Sequence, residues 1–536
     1  MSDVFVRKAS GLVRVVSPKD ALVYAFMNPT IPYAFHYIIW SQALYPGANM
    51  YIAALFILTL FPIAGLYVLF STAMPRSGGE YIYGSRVLSP VLGLLASWGM
   101  VLGGGLMWSG SLASWGTMWG IGAGTVIHGL LTGNQGLVDL GIALGDPSTG
   151  LAWVFGFLTI ASCFAVMLAG TKWVMRAAWF VTAVTWIMLG SYIYINLTAN
   201  PQIVAQRMSA LQGLDYGGIL QQAKDAGWMP GLVSTGATMM AGLTYLNLST
   251  LGSTYVANIA GEIKEVRKAQ ILAQFGSLIL FIIYWEIFTY ATYSGLGIDL
   301  IQAISYLNAA GIDTEVFKLY SFSPVAYFLT VYLSDNWLLV MLAGPIGFWI
   351  INWGGILGLG FGPIRNLFAY AYDGIFPNWV CAVDRKGRAW GSVLLGFIIA
   401  VAVHTVNTFT PWLAYIAHTI AVWFISWFIV GVAGMVFHIR RRDIYEKSPA
   451  IVQKKIAGIP LTFILGLVTA IISAAVVYSV LYPALTGEAV ALQLRYLAST
   501  ILFLIVVPII IFYASYYYRK AKGVPMDLRF KEVPPD

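Results

Sequence analysis

The amino-acid sequence predicts an all-α polytopic membrane protein that crosses the bilayer about twelve times. Three observations support this prediction: the composition, the length of the apolar runs and the distribution of positive charge. Hydrophobic residues make up 59% of the 536 positions, and charged residues only 10%. Soluble domains contain roughly 25% charged residues, so this chain has too few to cover a water-facing surface. The apolar residues fall in runs of roughly 20, the helix length that spans a ~30 Å hydrocarbon core.

Each apolar run of this length is treated as one membrane helix, numbered in chain order. Predicted helices 1 to 12 cover residues 18–41, 50–73, 89–120, 150–170, 172–197, 231–260, 268–294, 335–361, 391–407, 411–438, 459–482 and 494–517. The lipid bilayer is therefore the first partner that the sequence predicts.

Lysine and arginine are unevenly distributed between the two sides of this topology. With the N-terminus inside, 26 of the 30 basic residues lie on the cytoplasmic side. The basic residues on the outer side are Arg207, Lys224, Lys318 and Arg495. The positive-inside rule predicts a multi-pass protein of the cytoplasmic membrane with both termini in the cytoplasm. The same partition explains the net charge of +8 without a nucleic-acid partner.

Several function classes lack the residues that they require. Cys163 lies in an apolar run and Cys381 in a basic loop, so we expect neither a disulfide framework nor a metal site. The chain has no His-Glu-x-x-His, Gly-x-Ser-x-Gly or phosphate-loop motif, and its five histidines are too few for a haem–copper oxidase. We therefore expect no enzyme activity and no cofactor.

Helix 1 contains a predicted break. It opens with Ser17-Pro18-Lys19-Asp20, which resembles a capping box with proline at the first helical position. It then meets Asn28-Pro29-Thr30-Ile31-Pro32, where two prolines remove two backbone donors near mid-membrane. The backbone groups that lose their helical hydrogen bonds at this depth must find partners in the protein or in a water-filled cavity.

Helix 6 contains a matching polar stretch, Asn247-Leu248-Ser249-Thr250-Leu251-Gly252-Ser253-Thr254. Taken alone, it is also consistent with a helix–helix contact built from small residues, although a break is favoured. The two breaks lie five helices apart, and after an odd number of helices the second unit enters the membrane from the opposite side. Taken together with helix 1, the stretch therefore indicates two inverted halves. Broken helices at corresponding positions of inverted halves are typical of a transporter binding site.

Three loop motifs in this order resemble those of the amino acid–polyamine–organocation (APC) superfamily. Pro75-Arg76-Ser77-Gly78-Gly79-Glu80-Tyr81 follows helix 2, and Gly261-Glu262-Ile263-Lys264 follows helix 6. After helix 8 come Arg365 and then Ala371-Tyr372-Asp373-Gly374-Ile375-Phe376-Pro377. The arginines and acids of these loops either latch an inner gate or serve only as topology charges, and the sequence leaves both interpretations open.

The resemblance implies a LeuT-like fold of two inverted five-helix repeats, in which helices 1 and 6 line the site and helices 3, 8 and 10 complete it. On this basis the chain divides into a cytoplasmic segment, a first repeat, an outer loop, a second repeat, helices 11 and 12, and a cytoplasmic tail. These parts cover residues 1–17, 18–197, 198–230, 231–438, 459–517 and 518–536.

The predicted substrate site lies between the two breaks. Its candidate residues are Asn28, Thr30, Ile31, Tyr33, Ser249, Thr250, Gly252, Ser253 and Trp353. Many members of the family have glycines at the helix 1 break, whose amides bind the substrate carboxylate. Ile31-Pro32-Tyr33 stands there in this chain, and proline has no amide to donate.

The coupling ion is not evident from the sequence. Some proton-coupled members of the family have a lysine on helix 5 where this chain has Thr185, which can ligate sodium but cannot carry a proton. Asn352 on helix 8 is a second candidate for a sodium site. His36 is a candidate proton site, although a neutral hydrogen-bonded histidine is the preferred interpretation. Sodium coupling, proton coupling, exchange and facilitated transport all remain open at this point.

The predicted function is therefore secondary transport of an amino acid or related small organic amine by alternating access. The alternative is a non-transporting solute sensor or structural membrane subunit that retains the same fold. The outer loop around Leu300, Ile301, Ile304 and Leu307 has one apolar helical face. It is interpreted as an amphipathic helix at the outer membrane interface in preference to a lid over the site.

Overall fold

The computed structural model describes residues 11–28, 33–312, 316, 326–410, 417–486 and 502–533. Within these residues, ten helices are long and apolar enough to cross a membrane. They are Met50–Ala73, Pro90–Thr132, Leu151–Ala169, Thr171–Leu197, Val266–Gly295, Trp337–Tyr372, Trp390–Phe409, Ala421–Arg440, Leu461–Ser479 and Leu502–Ala521. The chain is a polytopic helical membrane protein, as predicted.

The two predicted spans missing from this set are helices 1 and 6, the two for which a break was predicted. Helix 1 consists of two separate helices, Pro18–Met27 (helix 1a) and Ala34–Leu44 (helix 1b). Ser17 and Asp20 form the predicted capping box, with Pro18 at the first helical position. Residues 29–32 between the two helices, which include Thr30 and Ile31, lie outside the described residues.

Helix 6 changes its backbone geometry three times. It begins as an α-helix over Thr235–Ala241 and widens to a π-helix over Gly242–Leu246. A turn at Ser249 and Thr250 follows, and the chain then continues as a 3-10 helix over Leu251–Glu262. The predicted interruption of this helix is confirmed at the turn.

Helices 3 and 8 extend beyond their predicted ends at residues 120 and 361. Helix 3 includes two glycine-rich π-helical stretches, Gly99–Leu106 and Gly116–Gly122, and ends at Thr132. Glycines within this helix sit at close contacts with helix 8: a Cβ atom on Gly124 would lie 2.6 Å from Pro345 Cβ. Helix 8 kinks at Gly344 and then continues through Pro363 to Tyr372.

The connections that the predicted topology places outside contain a layer of short helices, two of which contact helix 1b. This layer contains Gln135–Gly145, Pro147–Thr149, Pro201–Gln212, Tyr216–Asp225, Ile298–Ala309 and Ala326–Tyr332. Leu300, Ile301, Ile304 and Leu307 lie on Ile298–Ala309 and are fully buried. This helix packs on helix 1b and on Tyr216–Asp225, so protein covers its apolar face. The preferred interpretation, an apolar face buried in the membrane interface, is therefore wrong.

The connections that the predicted topology places in the cytoplasm hold shorter elements. A helix over Gly79–Val87, called here the loop helix, lies between helices 2 and 3. Asn378–Cys381, Arg442–Tyr445 and the tail helix Met526–Lys531 lie on the same side of the chain. A two-stranded antiparallel hairpin pairs Lys455–Ile456 with Ile459–Pro460. Ala457 and Gly458 form its turn with positive φ angles of 48° and 82°, as two-residue hairpins require.

Candidate substrate site

The side chain of Asn28, at the end of helix 1a, lies between two glycines. A Cβ atom on Gly252 of helix 6 would be 2.9 Å from Asn28 Cβ, and one on Gly358 of helix 8 would be 3.0 Å from Asn28 Cγ. The Tyr24 hydroxyl lies beside this carboxamide but donates to the carbonyl of Gly358. Among the described residues, neither end of the buried Asn28 carboxamide has a hydrogen-bond partner. A buried amide in this state is a strong site for a polar ligand, because leaving it unpaired is costly.

A small cavity adjoins Asn28, and five membrane helices contribute to it. Its volume is about 10 Å³, roughly what one water molecule needs. The lining residues come from helices 1, 3, 6, 8 and 10 and are Asn28, Gly104, Trp108, Leu248, Leu251, Gly252, Leu359 and Trp423. The lining is apolar and aromatic apart from the Asn28 carboxamide, the indole N–H groups and the exposed backbone.

The polar residues of the helix 6 turn satisfy their own backbone. The hydroxyls of Ser249 and Thr250 donate to the carbonyls of Leu246 and Asn247, at 2.6 and 2.8 Å. Ser249 also accepts a hydrogen bond of 3.0 Å from the indole of Trp285. Ser253 is buried one turn later. The carbonyls of Leu246 and Asn247, beside the turn, are thus hydrogen-bonded to side chains of the same turn.

Three predicted residues lie together where helices 1b, 3 and 8 meet. The Tyr33 hydroxyl donates to Asn352 Oδ1 at 3.0 Å, and Asn352 Nδ2 donates to the carbonyl of Leu112 at 2.6 Å. His36 is buried one turn after Tyr33, with its ring centroid 4.4 Å from that of Trp119. Neither ring nitrogen of His36 has a partner among the described residues. Asn352 therefore joins helix 8 to helices 1b and 3.

Of the predicted residues that the structure describes, Asn28 and Gly252 alone line this cavity. Two others make their contacts on helices 4 and 5. The Trp353 indole donates to Ser162 on helix 4 at 2.9 Å, away from helix 1. Thr185 donates to the carbonyl of Val181 on its own helix. It lies between Val181 and Met188, whose side chains pack on glycines of helix 8. Asn352 is held by Tyr33 and Leu112, and the predicted sodium site at Thr185 and Asn352 stays a prediction.

Trp108 and Trp423 are the residues that the sequence prediction missed. Both are large aromatic residues in apolar helices, and the sequence offers only their type as a signal. Gly104 makes room for Trp423, because a Cβ atom at Gly104 would overlap the indole ring. Two tryptophans at a small cavity supply flat apolar walls and π-faces for a cationic group.

Below the cavity, the first buried ion pair joins helices 6 and 8. Glu262 binds Arg365 Nε and, at 3.3 Å, Arg365 Nη2. Thr171, at the start of helix 5, donates to the same carboxylate. The carbonyl of Glu262 accepts from the amides of Val15 and Val16, so the N-terminal segment is attached here as well.

The second buried ion pair joins the loop helix to the end of helix 8. Arg86 contacts both oxygens of Asp373, at 2.6 and 3.0 Å, and the Tyr81 hydroxyl donates to Asp373 at 2.6 Å. Arg86 also donates to the carbonyls of Arg529 and Glu532 in the tail. Bidentate arginine–carboxylate pairs of this kind are strong and geometrically specific. Residues from all three sequence motifs therefore meet in one buried layer, called here the inner layer.

The cavity is covered on both sides in this structure. The aromatic cluster around Tyr33, His36 and Trp119 lies on one side, and the inner layer lies on the other side, which the predicted topology places at the cytoplasm. In the part of the chain that the structure describes, no group of three His, Cys, Asp or Glu side chains is placed to hold a metal ion. Cys163 and Cys381 are both free thiols.

Comparison with known families gives one match that spans nearly the whole chain. The family model described as amino acid permease matches residues 22–511, from helix 1a into helix 12. A comparison with curated proteins gave no match.

Proposed function

This chain belongs to the amino acid permease family of the APC superfamily, and from that membership we propose that it is a secondary transporter. Its substrate is an amino acid or a related small organic amine, which the protein carries across the cytoplasmic membrane by alternating access. The observation that carries the proposal is the unpartnered Asn28 carboxamide, held between Gly252 and Gly358 at the junction of two interrupted helices.

The chemistry of the cavity favours a small zwitterion or amine with an apolar side chain. Helix 1a and the outer half of helix 6 end here, so their negative dipole ends point at the cavity and stabilise a cation. The faces of Trp108 and Trp423 add a cation–π attraction of about 0.5–2 kcal/mol. The 3-10 helix that starts at Leu251 presents its amides to a carboxylate.

Alternating access requires one side to open while the other stays closed. We propose that the inner layer is the inner gate and that the aromatic cluster on helix 1b is part of the outer gate. The two inverted five-helix repeats and the count of twelve helices belong to this proposal. Among the described residues, the ten long spans account for every predicted membrane helix except the two interrupted ones, which supports the count of twelve.

The function is tested by uptake into proteoliposomes made with the purified protein. A panel of labelled amino acids and amines is offered, and we expect at least one to accumulate above protein-free vesicles. Binding of a solute that never accumulates would instead identify the protein as a sensor. A thermal-shift screen selects the panel, because a ligand that binds the folded state raises its melting temperature.

Replacing Asn28 with alanine tests the substrate contact. We expect the Asn28→Ala variant to bind the solute about 10–100-fold more weakly, because a hydrogen bond to a charged group contributes about 1.5–3 kcal/mol. The affinity is measured from thermal shifts over a range of solute concentrations. Ser209→Ala, on the exposed side of an outer helix, is the control and should bind normally. Unchanged affinity in the Asn28 variant would place the substrate elsewhere.

The orientation of the chain is tested by thiol labelling in intact cells. Lys224 on an outer helix and Lys522 in the tail are both exposed, and each is replaced with cysteine in a Cys381→Ser background. An impermeant maleimide should label the Lys224→Cys variant at once, because that residue faces the outside in the proposed topology. The Lys522→Cys variant should react only after the cells are permeabilised. Labelling of the tail in intact cells would contradict the proposed orientation.

A further inference from the structure

Three carboxylates lie buried in the inner layer, and only two of them have an arginine. Glu262 is paired with Arg365, and Asp373 with Arg86. Glu80, the second residue of the loop helix, is fully buried and forms no ion pair with any described residue. A buried ionised carboxylate without a cation is costly, so such groups tend to take up a proton.

The contacts of Glu80 are two carboxamides that converge on a single oxygen. Asn366 Nδ2 donates to Oε1 at 2.7 Å, and Asn258 Nδ2 approaches the same atom at 3.5 Å. The other oxygen, Oε2, has no partner among the described residues. A protonated carboxyl group suits this arrangement, because it presents one acceptor oxygen to the amides and one hydroxyl that needs no cation.

The elements packed around the loop helix bring no free cation to Glu80. The loop helix contacts helices 3, 6, 8 and 10 and the tail helix. The titratable groups close enough to interact with Glu80 are the phenols Tyr67, Tyr83, Tyr255 and Tyr370. The adjoining stretch of helix 3, Pro90–Trp98, has no titratable residue.

The remaining charged groups on these elements lie at the cytoplasmic edge. Arg440 on helix 10 donates to the carbonyl of Leu88, and Arg529 on the tail helix donates to that of Tyr372. The other charged or titratable groups there are His438 at the end of helix 10 and Asp527 and Lys531 on the tail helix. Burial raises the pKa of Glu80 to about 7, although its own backbone amide and the side-chain amides of Asn366 and Asn258 oppose the shift.

We propose that Glu80 is a proton-binding site of the inner gate: its carboxyl group holds a proton while the gate is closed and releases it to water when the gate opens. Glu80 is positioned for this role because it touches both moving partners, Asn258 at the inner end of helix 6 and Asn366 on helix 8. Separating these helices removes the two amides and admits water, which ionises the carboxyl. The inference rests on the proposed transport function and adds the coupling chemistry that the sequence left open.

The sign of the pH dependence follows from the two states. The closed gate binds the proton with a pKa of about 7, and a water-exposed glutamate has an ordinary pKa of about 4.3. Because the closed gate binds the proton more tightly, acidification stabilises it as the pH falls through 7. Between pH 8 and pH 6, the ratio of closed to open gates should rise about tenfold.

The test measures gate opening without any solute. Ala369 on helix 8 packs against Gly78 beside the loop helix and is nearly buried, so the Ala369→Cys thiol reports opening. Its maleimide labelling rate is divided by that of the exposed Lys522→Cys variant at each pH, which removes the intrinsic pH dependence of thiols. We expect the ratio to fall about tenfold from pH 8 to pH 6 in the Cys381→Ser background.

The variant Glu80→Gln carries no titrating proton and copies the shape of the protonated acid. We expect a low labelling ratio that no longer varies with pH, whereas Glu80→Asp should retain the pH dependence. Glu446→Gln, at an exposed cytoplasmic glutamate, is the matched control and should behave as the parent. A pH dependence that survives Glu80→Gln, or none in the parent, would overturn the proposal.

A second measurement covers the case in which Glu80→Gln does not fold. Infrared spectra of the otherwise unmodified protein should show a protonated carboxyl band that disappears as the pH rises through about 7, and a protein without that band would refute the proton site.

Proteoliposomes with pH clamped on each side identify the source of the proton. Dependence on the inner pH alone indicates a regulated gate, and proton entry with solute indicates symport. A protein whose labelling varies with pH but that accumulates no solute would refute transport and leave the proton site standing.

Discussion

Transport is expected to be lost when Gly252 is replaced with leucine. A Cβ atom at this position would already lie 2.9 Å from the backbone oxygen of Asn28, and the cavity beside it holds about 10 Å³. A leucine side chain fills this space and pushes Asn28 out of place. We expect uptake to fall to the level of protein-free vesicles. Gly252→Ala should be intermediate, because a single methyl group forces a shift that costs about 1–3 kcal/mol.

The matched control for Gly252 is Gly190 on helix 5. Gly190 is exposed, and a Cβ atom there would have no neighbour within 4 Å. Gly190→Leu makes the same change in a lipid-facing position and should leave uptake, expression and detergent-extracted yield unchanged. Normal uptake by Gly252→Leu would show that the solute passes elsewhere. A Gly252→Leu protein that loses yield as well is compared with Gly252→Ala, whose smaller change separates misfolding from blockage.

Breaking the Glu262–Arg365 pair should give the largest loss of stability. Both side chains are about 2–3% exposed, so removing one partner leaves an uncompensated charge in a buried layer. Such a change costs about 3–5 kcal/mol. We expect Arg365→Ala and Glu262→Ala each to lower the apparent melting temperature of the purified protein clearly. The melting temperature of the double variant should fall less than that of either single variant, because no lone charge remains buried.

The same variants test whether this pair holds the inner gate closed. Arg365→Ala should raise the labelling rate of the Ala369→Cys thiol, because the link between helices 6 and 8 is lost. Arg442→Ala is the control: its partner Glu446 is exposed, and exposed pairs contribute little, so neither melting nor labelling should change. If Arg365→Ala melts early but is labelled at the parental rate, the pair stabilises the fold without acting as a latch.

These experiments separate two roles that the sequence motifs left open. Arg76, Glu80, Glu262, Arg365 and Asp373 all lie on the cytoplasmic side of the predicted topology, where positive charge alone is a sufficient explanation for the arginines. The positive-inside rule explains arginines on that side, but it does not require them to be buried in ion pairs. Their burial is a property of the packing, since each pair joins residues about 100 to 290 positions apart in the chain.

The sequence by itself determined the class of protein and the places where its helices break. Runs of about 20 apolar residues specify membrane spans, because no other environment accepts so much apolar surface. The two prolines of the helix 1 break and the Ser-Thr-Gly stretch of helix 6 act locally, through missing donors and backbone freedom. The predicted ends of helices 3 and 8, at residues 120 and 361, were too early, because both helices continue to Thr132 and Tyr372 through glycines that make close contacts.

Only the tertiary structure decided which side chains form the site. Asn28 meets Gly358 across 330 positions, and Trp423 reaches the cavity because Gly104 on another helix leaves room for its ring. No periodicity encodes such contacts, since they depend on how separate helices cross. The chemistry of the three buried acids was decided in the same way. Glu80, Glu262 and Asp373 are alike in the sequence, and packing gives two of them an arginine and leaves the third with neutral amides.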